Sequence, residues 1–527
     1  MAIRNILKFT LGAVAAAAIA VPAMVAVVST ANSETLRVAV RATPAARGNV
    51  FQGCICTPAV YTWAAAFQQL TKIGDNGETL PFLAESWENI DPLRWRFHLR
   101  RDVKFSNGEP MNAAAVKATY DYWRSEEGQV FSQSKTMSRF VASTEIVDEF
   151  TIDVITPSPD PILPKKVQSQ SIVPLKAWAD LGLETFSQEP VASGPYVLRF
   201  SAESAKATPN PLSWLPRTSV EEIEFLALPE SPSRVQALIS GQVDINVSVS
   251  PDEVLVLENN GMAVYSKPST RTMGISFVSY RATMVDDALV GAPVDGPISD
   301  VRVRQALNYA VNKQAIADAI FFGKAAPATQ AAFPGVNGYN PNITGYPYDP
   351  DKARALLAEA GYADGFDFEV RAITNADDFR LAYEAAIQDI RKLGINANLI
   401  SQNFAGKDGW LEHWLAGTWP YQAFGIGHDL GATMDAGRTF NVFTSCKKPA
   451  PYFCDESELP AIEAINGEFD ADKRRGMLQD LLAIHTEKAP IIFLLEFEES
   501  MAYNPRIKNF RHTTLVIPYH ELEVSAN

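Results

Sequence analysis

Apolar and polar residues alternate with period two from residue 93 to 100. Leu93, Trp95, Phe97 and Leu99 fall on one face, and Arg94, Arg96, His98 and Arg100 on the other, which predicts a half-buried strand in a hairpin with a solvated arginine stripe. Thr35–Ala42 alternates in the same way, with Leu36, Val38 and Val40 inward. Elsewhere the period is helical. Val60–Leu70 reads as a helix, and Asn112 caps another that runs through Trp123. Asp300 caps a helix carrying Ala306, Leu307, Ala310 and Val311, and Gly323 follows the helical stretch. Asp349 and Pro350 start a further helix, whose stripe of Ala353, Leu356, Leu357 and Ala360 ends before Gly361. The spacing also predicts helices over 378–393, 459–466 and 470–488, then a strand over 491–496. Strands and helices alternate along the chain, which points to an α/β architecture.

At 527 residues the chain exceeds one ordinary core, so two or three domains are expected. Hydrophobic residues make up 47% and charged residues 20%, the composition of a globular protein. A formal net charge of -15 argues against nucleic acid as a partner, because that needs clustered basic residues. The N-terminus narrows the compartment. Arg4 and Lys8 precede an apolar run from Leu11 to Val28, broken by Pro22, and Ser29-Thr30-Ala31 fits a small-x-small cleavage site. A Sec signal peptide over residues 1–31 and a periplasmic location are expected. In such an oxidising compartment Cys446 and Cys454, which bracket a short loop, are expected to form a disulfide. Cys54 and Cys56 are too close for an easy disulfide and too few for a zinc site.

Enzyme signatures are missing. The chain has no H-E-x-x-H, no G-x-S-x-G, no Walker A loop and no G-x-G-x-x-G after a strand, and its six histidines are scattered. No catalytic role, metal or cofactor is expected.

Four blocks carry a resemblance. They are P-F-L-A-E-S-W-E…W-R-F-H-L-R-R-D-V-K-F-S-N-G-E-P from Pro81, P-V-A-S-G-P-Y-V-L from Pro190, R-V-Q-A-L-I-S-G-Q-V-D from Arg234, and the stretch from Asp300 to Tyr362. In this order they resemble the solute-binding proteins of ABC importers that include dipeptide, oligopeptide and nickel binders. The resemblance implies a two-lobed, class II-like periplasmic-binding-protein fold that closes about a hinge, with an extra subdomain on the first lobe. Lobe one would comprise 32–69, 191–276 and 499–527, the subdomain 70–190, and lobe two 277–498. It also implies a monomer that captures a peptide or peptide-like solute and delivers it to a membrane permease with its ATPase. A sugar, an opine-like conjugate or a metal chelate is the alternative cargo, and a chemoreceptor the alternative partner; a secreted hydrolase is remote.

Laying the chain on the family's peptide-binding segment puts Gly425 on its glycine and Asp429 on the acid that pairs with a peptide's ammonium group. Ile426 departs from the usual tryptophan, and the usual Asp-Pro downstream is missing. Arg371 is the nearest substitute for the arginine that holds a dipeptide's carboxylate. Around these lie Trp410, Trp414, Trp419, Tyr421 and His428 as possible cleft residues, with Tyr61 and Trp63 at the edge of lobe one. Trp410 and Trp414, four apart, share a helix face, a spacing that suits core packing better than a cleft wall.

Overall fold

Two long strands, Ala263–Phe277 and Ile491–Tyr503, lie antiparallel and run through both halves of the protein. The computed structural model describes residues 34–53, 59–202, 204–216, 219–285, 288–373, 379–403, 407–444, 446, 452–513 and 516–525. The expected signal segment, Cys54 and Cys56 lie outside the described residues.

Around the paired strands one mixed sheet grows in two directions. On one side Ile491–Tyr503 pairs through its end with Ile245–Val249, followed by the parallel strand Glu34–Val40 and by Val220–Ala227. On the other, the end of Ala263–Phe277 pairs with Ala423–Gly425, followed by the parallel strands Asp367–Ile373 and Asn396–Gln402. Each direction has its own core. Leu36, Val38, Val40, Phe225 and Ile245 pack in the first lobe with the returning Met501, Ile517 and Tyr519. In the second lobe the strand Ile491–Tyr503 alternates as period two demands. Ile492 and Leu494 face helices carrying Val303, Leu307 and Ile387, while Ile491 and Phe493 face Phe424, Phe440 and Leu482.

The first lobe carries a separate four-stranded antiparallel sheet of Ala84–Asp91, Arg94–Leu99, Thr151–Ile155 and Ser143–Asp148. Phe97 and Leu99 are buried as the alternation predicts. The arginine face is not simply solvated. Arg94 donates to Glu145 and Asp153 at 2.6 and 2.9 Å, and Arg96 reaches Asp153 at 2.8 Å, so a buried carboxylate on the next strand orders both.

Most caps hold. The side chains of Asn112, Asp300, Asp349 and Asp470 each accept a backbone N–H at the helix starts predicted for them. Three expectations need correction. The helix expected over 60–70 stops at Trp63, because Phe67–Leu70 is drawn into extended pairing: Gln68 accepts from Ile172, and Gln69 from Leu83. The stretch after Asp300 is two helices, Val301–Ala310 and Lys313–Phe321. Asn312 breaks it by capping the second helix while its N–H bonds Asp389 at 2.9 Å. The strand expected to end at Glu496 continues to Tyr503 and is the second crossing strand.

Candidate functional site

The two crossing strands lose register between Pro268 and Thr272, at the junction of the lobes. This bulge places charged side chains in the middle of two otherwise apolar strands. Ser269 Oγ donates to Glu499 at 2.9 Å and accepts the Arg271 N–H at 3.2 Å. Arg271 then lies over Phe379 and Phe497, 5.4 and 5.7 Å from the ring centres, with its Nε 3.9 Å from Glu499. Lys267 Nζ donates to the Thr513 carbonyl at 3.0 Å. Burial pushes the Lys267 amine down to about 8, with Glu499 and Asp75 pulling the other way.

A loop from the second lobe is sewn onto this bulge. Thr272 N–H donates to the His428 carbonyl at 3.1 Å and Leu430 N–H to the Thr270 carbonyl at 2.9 Å, so the backbones of Arg271 and Asp429 pair antiparallel between them. Gly427 makes that approach possible, since a Cβ there would stand 1.2 Å from the Thr272 oxygen. Asp429 is exposed at the crossover, and its Oδ1 accepts the Gly431 N–H at 2.9 Å. Arg438 folds back so that its Nε donates to the Asp429 carbonyl at 2.8 Å, and its guanidinium rests 5.6 Å from the Phe443 ring centre. Burial lowers the Arg438 pKa, which Asp429 opposes.

His428, next to Asp429, points inward. It is 1% exposed, stacks on Phe443 at 4.5 Å and shares a 3.1 Å hydrogen bond between Nε2 and the Tyr452 hydroxyl. Burial pushes its pKa down to about 3, helped by His485 and Arg438, so the ring is neutral. The Cys446–Cys454 disulfide forms as expected, with 4.7 Å between Cα atoms, and it anchors the segment that supplies Tyr452.

The predicted aromatics gather in one cluster behind this loop. Trp410 stacks on Trp414 at 4.9 Å and Trp419 on Phe424 at 4.7 Å, with Tyr452 against Phe424. Trp419 and Tyr421, expected as cleft residues, are core residues at 1% and 2% exposure. Hydrophobic burial outweighs any gain from leaving such rings in water. Arg371 donates from Nε to Glu369 at 2.9 Å and lies 4.9 Å over the Tyr421 ring, so its charge has a partner on its own strand. In the first lobe Trp63 is buried, donating to the Arg47 carbonyl, and Tyr61 is buried against His512. The structure thus brings an exposed Asp429 to the crossover and leaves His428, Trp410, Trp419, Tyr421, Tyr61 and Trp63 buried as packing. Sequence reasoning missed Arg271, Glu499, Lys267 and Arg438. The only signal of the first three was charge inside long strands, as in S-K-P-S-T-R and E-F-E-E-S.

The loop also receives contacts from the first lobe. Lys165 Nζ donates to the carbonyls of Gly77 and Met434 at 2.8 and 3.4 Å, and Gln168 Nε2 to that of Ala432 at 2.8 Å. Beneath Met434 the buried Asp435 receives Arg474 at 2.6 and 2.9 Å and Asn337 at 2.9 Å. Burial acts to raise the Asp435 pKa, but these partners together hold it below the usual carboxylate range. Among the described residues no group of three or more His, Cys, Asp or Glu could hold a metal ion.

Residues 78–448 match the family described as bacterial extracellular solute-binding proteins, family 5, middle region. The chain is similar to heme-binding protein A of Haemophilus influenzae, with 30% identity over 363 residues that make up 62% of each chain. It is similar to the dipeptide-binding protein of Escherichia coli, with 25% identity over 360 residues, 63% of this chain and 64% of that one. The match thus spans less than two thirds of these curated relatives. Among solved structures, HbpA2 from Haemophilus parasuis shares the fold with a TM-score of 0.77 and 21% identity, over 94% of this chain and 100% of the other.

Proposed function

Because the chain belongs to the bacterial extracellular solute-binding proteins, family 5, we propose that it captures a peptide or peptide-like solute between its lobes for an ABC importer. In this reading Asp429 takes the solute's ammonium group. One observation carries it: an exposed carboxylate stands at the crossover, on a loop stitched to the strands about which the lobes would close. A fixed anion compensates an ammonium group for the water it loses in a closing cleft. Closure follows when the solute binds the closed form better than the open one.

The permease and its ATPase are the proposed partners, the periplasm the proposed compartment, and a monomer the proposed state. The lobe and subdomain boundaries are kept as proposed from the sequence, except that the one at 276 moves back to the register break between Pro268 and Thr272, where the hinge is placed inside the crossing strands. A metal-chelate cargo is less favoured, since the one histidine beside Asp429 is turned into the core and bonded to Tyr452.

Titration calorimetry with trialanine tests the reading. Asp429→Asn removes the charge at nearly constant shape, and a charge-assisted hydrogen bond of about 1.5–3 kcal/mol corresponds to about 10- to 150-fold weaker binding. Equal affinities for the two proteins would remove Asp429 from the site.

A further inference from the structure

The hairpin formed by Thr71–Ile73 and Thr79–Pro81 and the segment 160–168 both fall within the proposed subdomain, yet both rest on the second lobe. Ile73 is 5% exposed. Among the described residues it is the only member from outside the second lobe of a core that includes Val336, Met434 and Phe440. The hairpin turns at Gly77, whose φ of +74° suits glycine, and a Cβ there would stand 2.8 Å from the Gly335 carbonyl oxygen and 3.1 Å from the Met434 Cβ. Lys165 ties this turn to the same loop by donating to the Gly77 and Met434 carbonyls, and Gln168 adds the Ala432 carbonyl. At a separate point Trp95, on the subdomain sheet, lies 6.2 Å between ring centres from Phe469, just before the second-lobe helix Ala471–Glu487. Trp95 donates to the Asp160 carbonyl at 2.9 Å, so both points of contact are braced by one segment of the subdomain.

We propose that the extra subdomain is a clasp that holds the second lobe closed without solute. Opening the lobes returns Ile73 and the facing rings of Trp95 and Phe469 to water and strips Lys165 of its Met434 carbonyl. That cost exists whether or not a solute is bound, so the closed form is the resting state and solute enters through transient openings. Solute and clasp then act on one equilibrium, and affinity scales with the fraction of molecules that the clasp keeps closed. The clasp does not depend on the role of Asp429, because it acts without solute.

Small-angle X-ray scattering of protein freed of solute tests it, the chain being unfolded in guanidinium with its disulfide intact, dialysed and refolded. Wild-type protein is expected to give the radius of gyration of the closed arrangement seen in the structure, and Ile73→Ser combined with Phe469→Ala a larger one. Phe469→Ala alone, a change on a half-buried second-lobe loop, is expected to move part of the way and carries the test if the double variant fails to fold. In titration calorimetry the double variant is expected to bind trialanine about three- to tenfold more weakly than wild type, with Asp429→Asn lowering affinity by the same factor in either background. A solute-free wild type already expanded beyond the closed arrangement, or scattering unchanged by both variants, overturns the clasp and leaves the reading of Asp429 standing. Absence of trialanine binding to wild-type protein would overturn that reading instead, and the scattering would still decide the clasp.

Discussion

His428 holds the Asp429 loop from behind, and its burial makes that support sensitive to acid. Its pKa is pushed down to about 3 from an ordinary 6.5, so the folded protein prefers the neutral ring. The sign follows from linkage: between these values the unfolded chain binds the extra proton, so stability rises with pH. The contribution is fully present above about 6.5 and is lost as pH falls toward 3. His428→Gln, which keeps a polar partner for Tyr452 without a titrating ring, should therefore be destabilising at about pH 7.5 and progressively less so toward about pH 4. Thermal unfolding of both proteins across that range is the check, and a melting difference independent of pH would contradict it. Asp429 could be put forward from the sequence because the family's peptide-binding segment can be laid on a short local stretch. Arg271 and Glu499 were not, since their meeting depends on a strand register that joins residues about 230 positions apart. Arg438 was hidden for a different reason: only the fold-back of its side chain onto the Asp429 carbonyl brings it to the site.

Helix caps were the most readable elements, because a side chain and an N–H three residues on settle them locally. Tertiary pairing decided the exceptions. The stretch after Trp63 abandons its helical pattern for bonds to Leu83 and Ile172, and the strand from Ile491 runs past Glu496 because Ala263–Phe277 offers a continuous partner. The disulfide element has its own test. Closing the loop between Cys446 and Cys454 is worth about 2–3 kcal/mol on the chain-entropy estimate. Replacing both cysteines by serine should lower the melting temperature measurably while leaving the choice of ligand unchanged. An unchanged melting temperature would contradict the stabilising role. A change of ligand would show that the segment carrying Tyr452 does more than support the loop.

Across the whole molecule the two lobes meet in a few polar contacts as well as through the sheet. Lys165 and Gln168 reach from the first lobe to the Met434 and Ala432 carbonyls, a few residues from Asp429. Hydrogen bonds of this kind contribute about 0.5–1.5 kcal/mol each, and more when the donor is charged, which is enough to shift an open–closed equilibrium severalfold. Lys165→Met with Gln168→Ala is expected to populate the open form, seen as a larger radius of gyration in small-angle X-ray scattering. An unchanged scattering profile would show that these contacts do not hold the lobes together. The two-lobed fold was legible through the order of the family's sequence blocks, whereas the contacts between lobes were not, because they join surfaces that no local pattern marks. The central claim is that the cleft holds a solute through Asp429. Native mass spectrometry of the full protein purified from a bacterial host tests it most directly. The account predicts a bound peptide-like molecule with a free ammonium group that is lost in Asp429→Ala; a sugar or metal chelate retained equally by both proteins would contradict it.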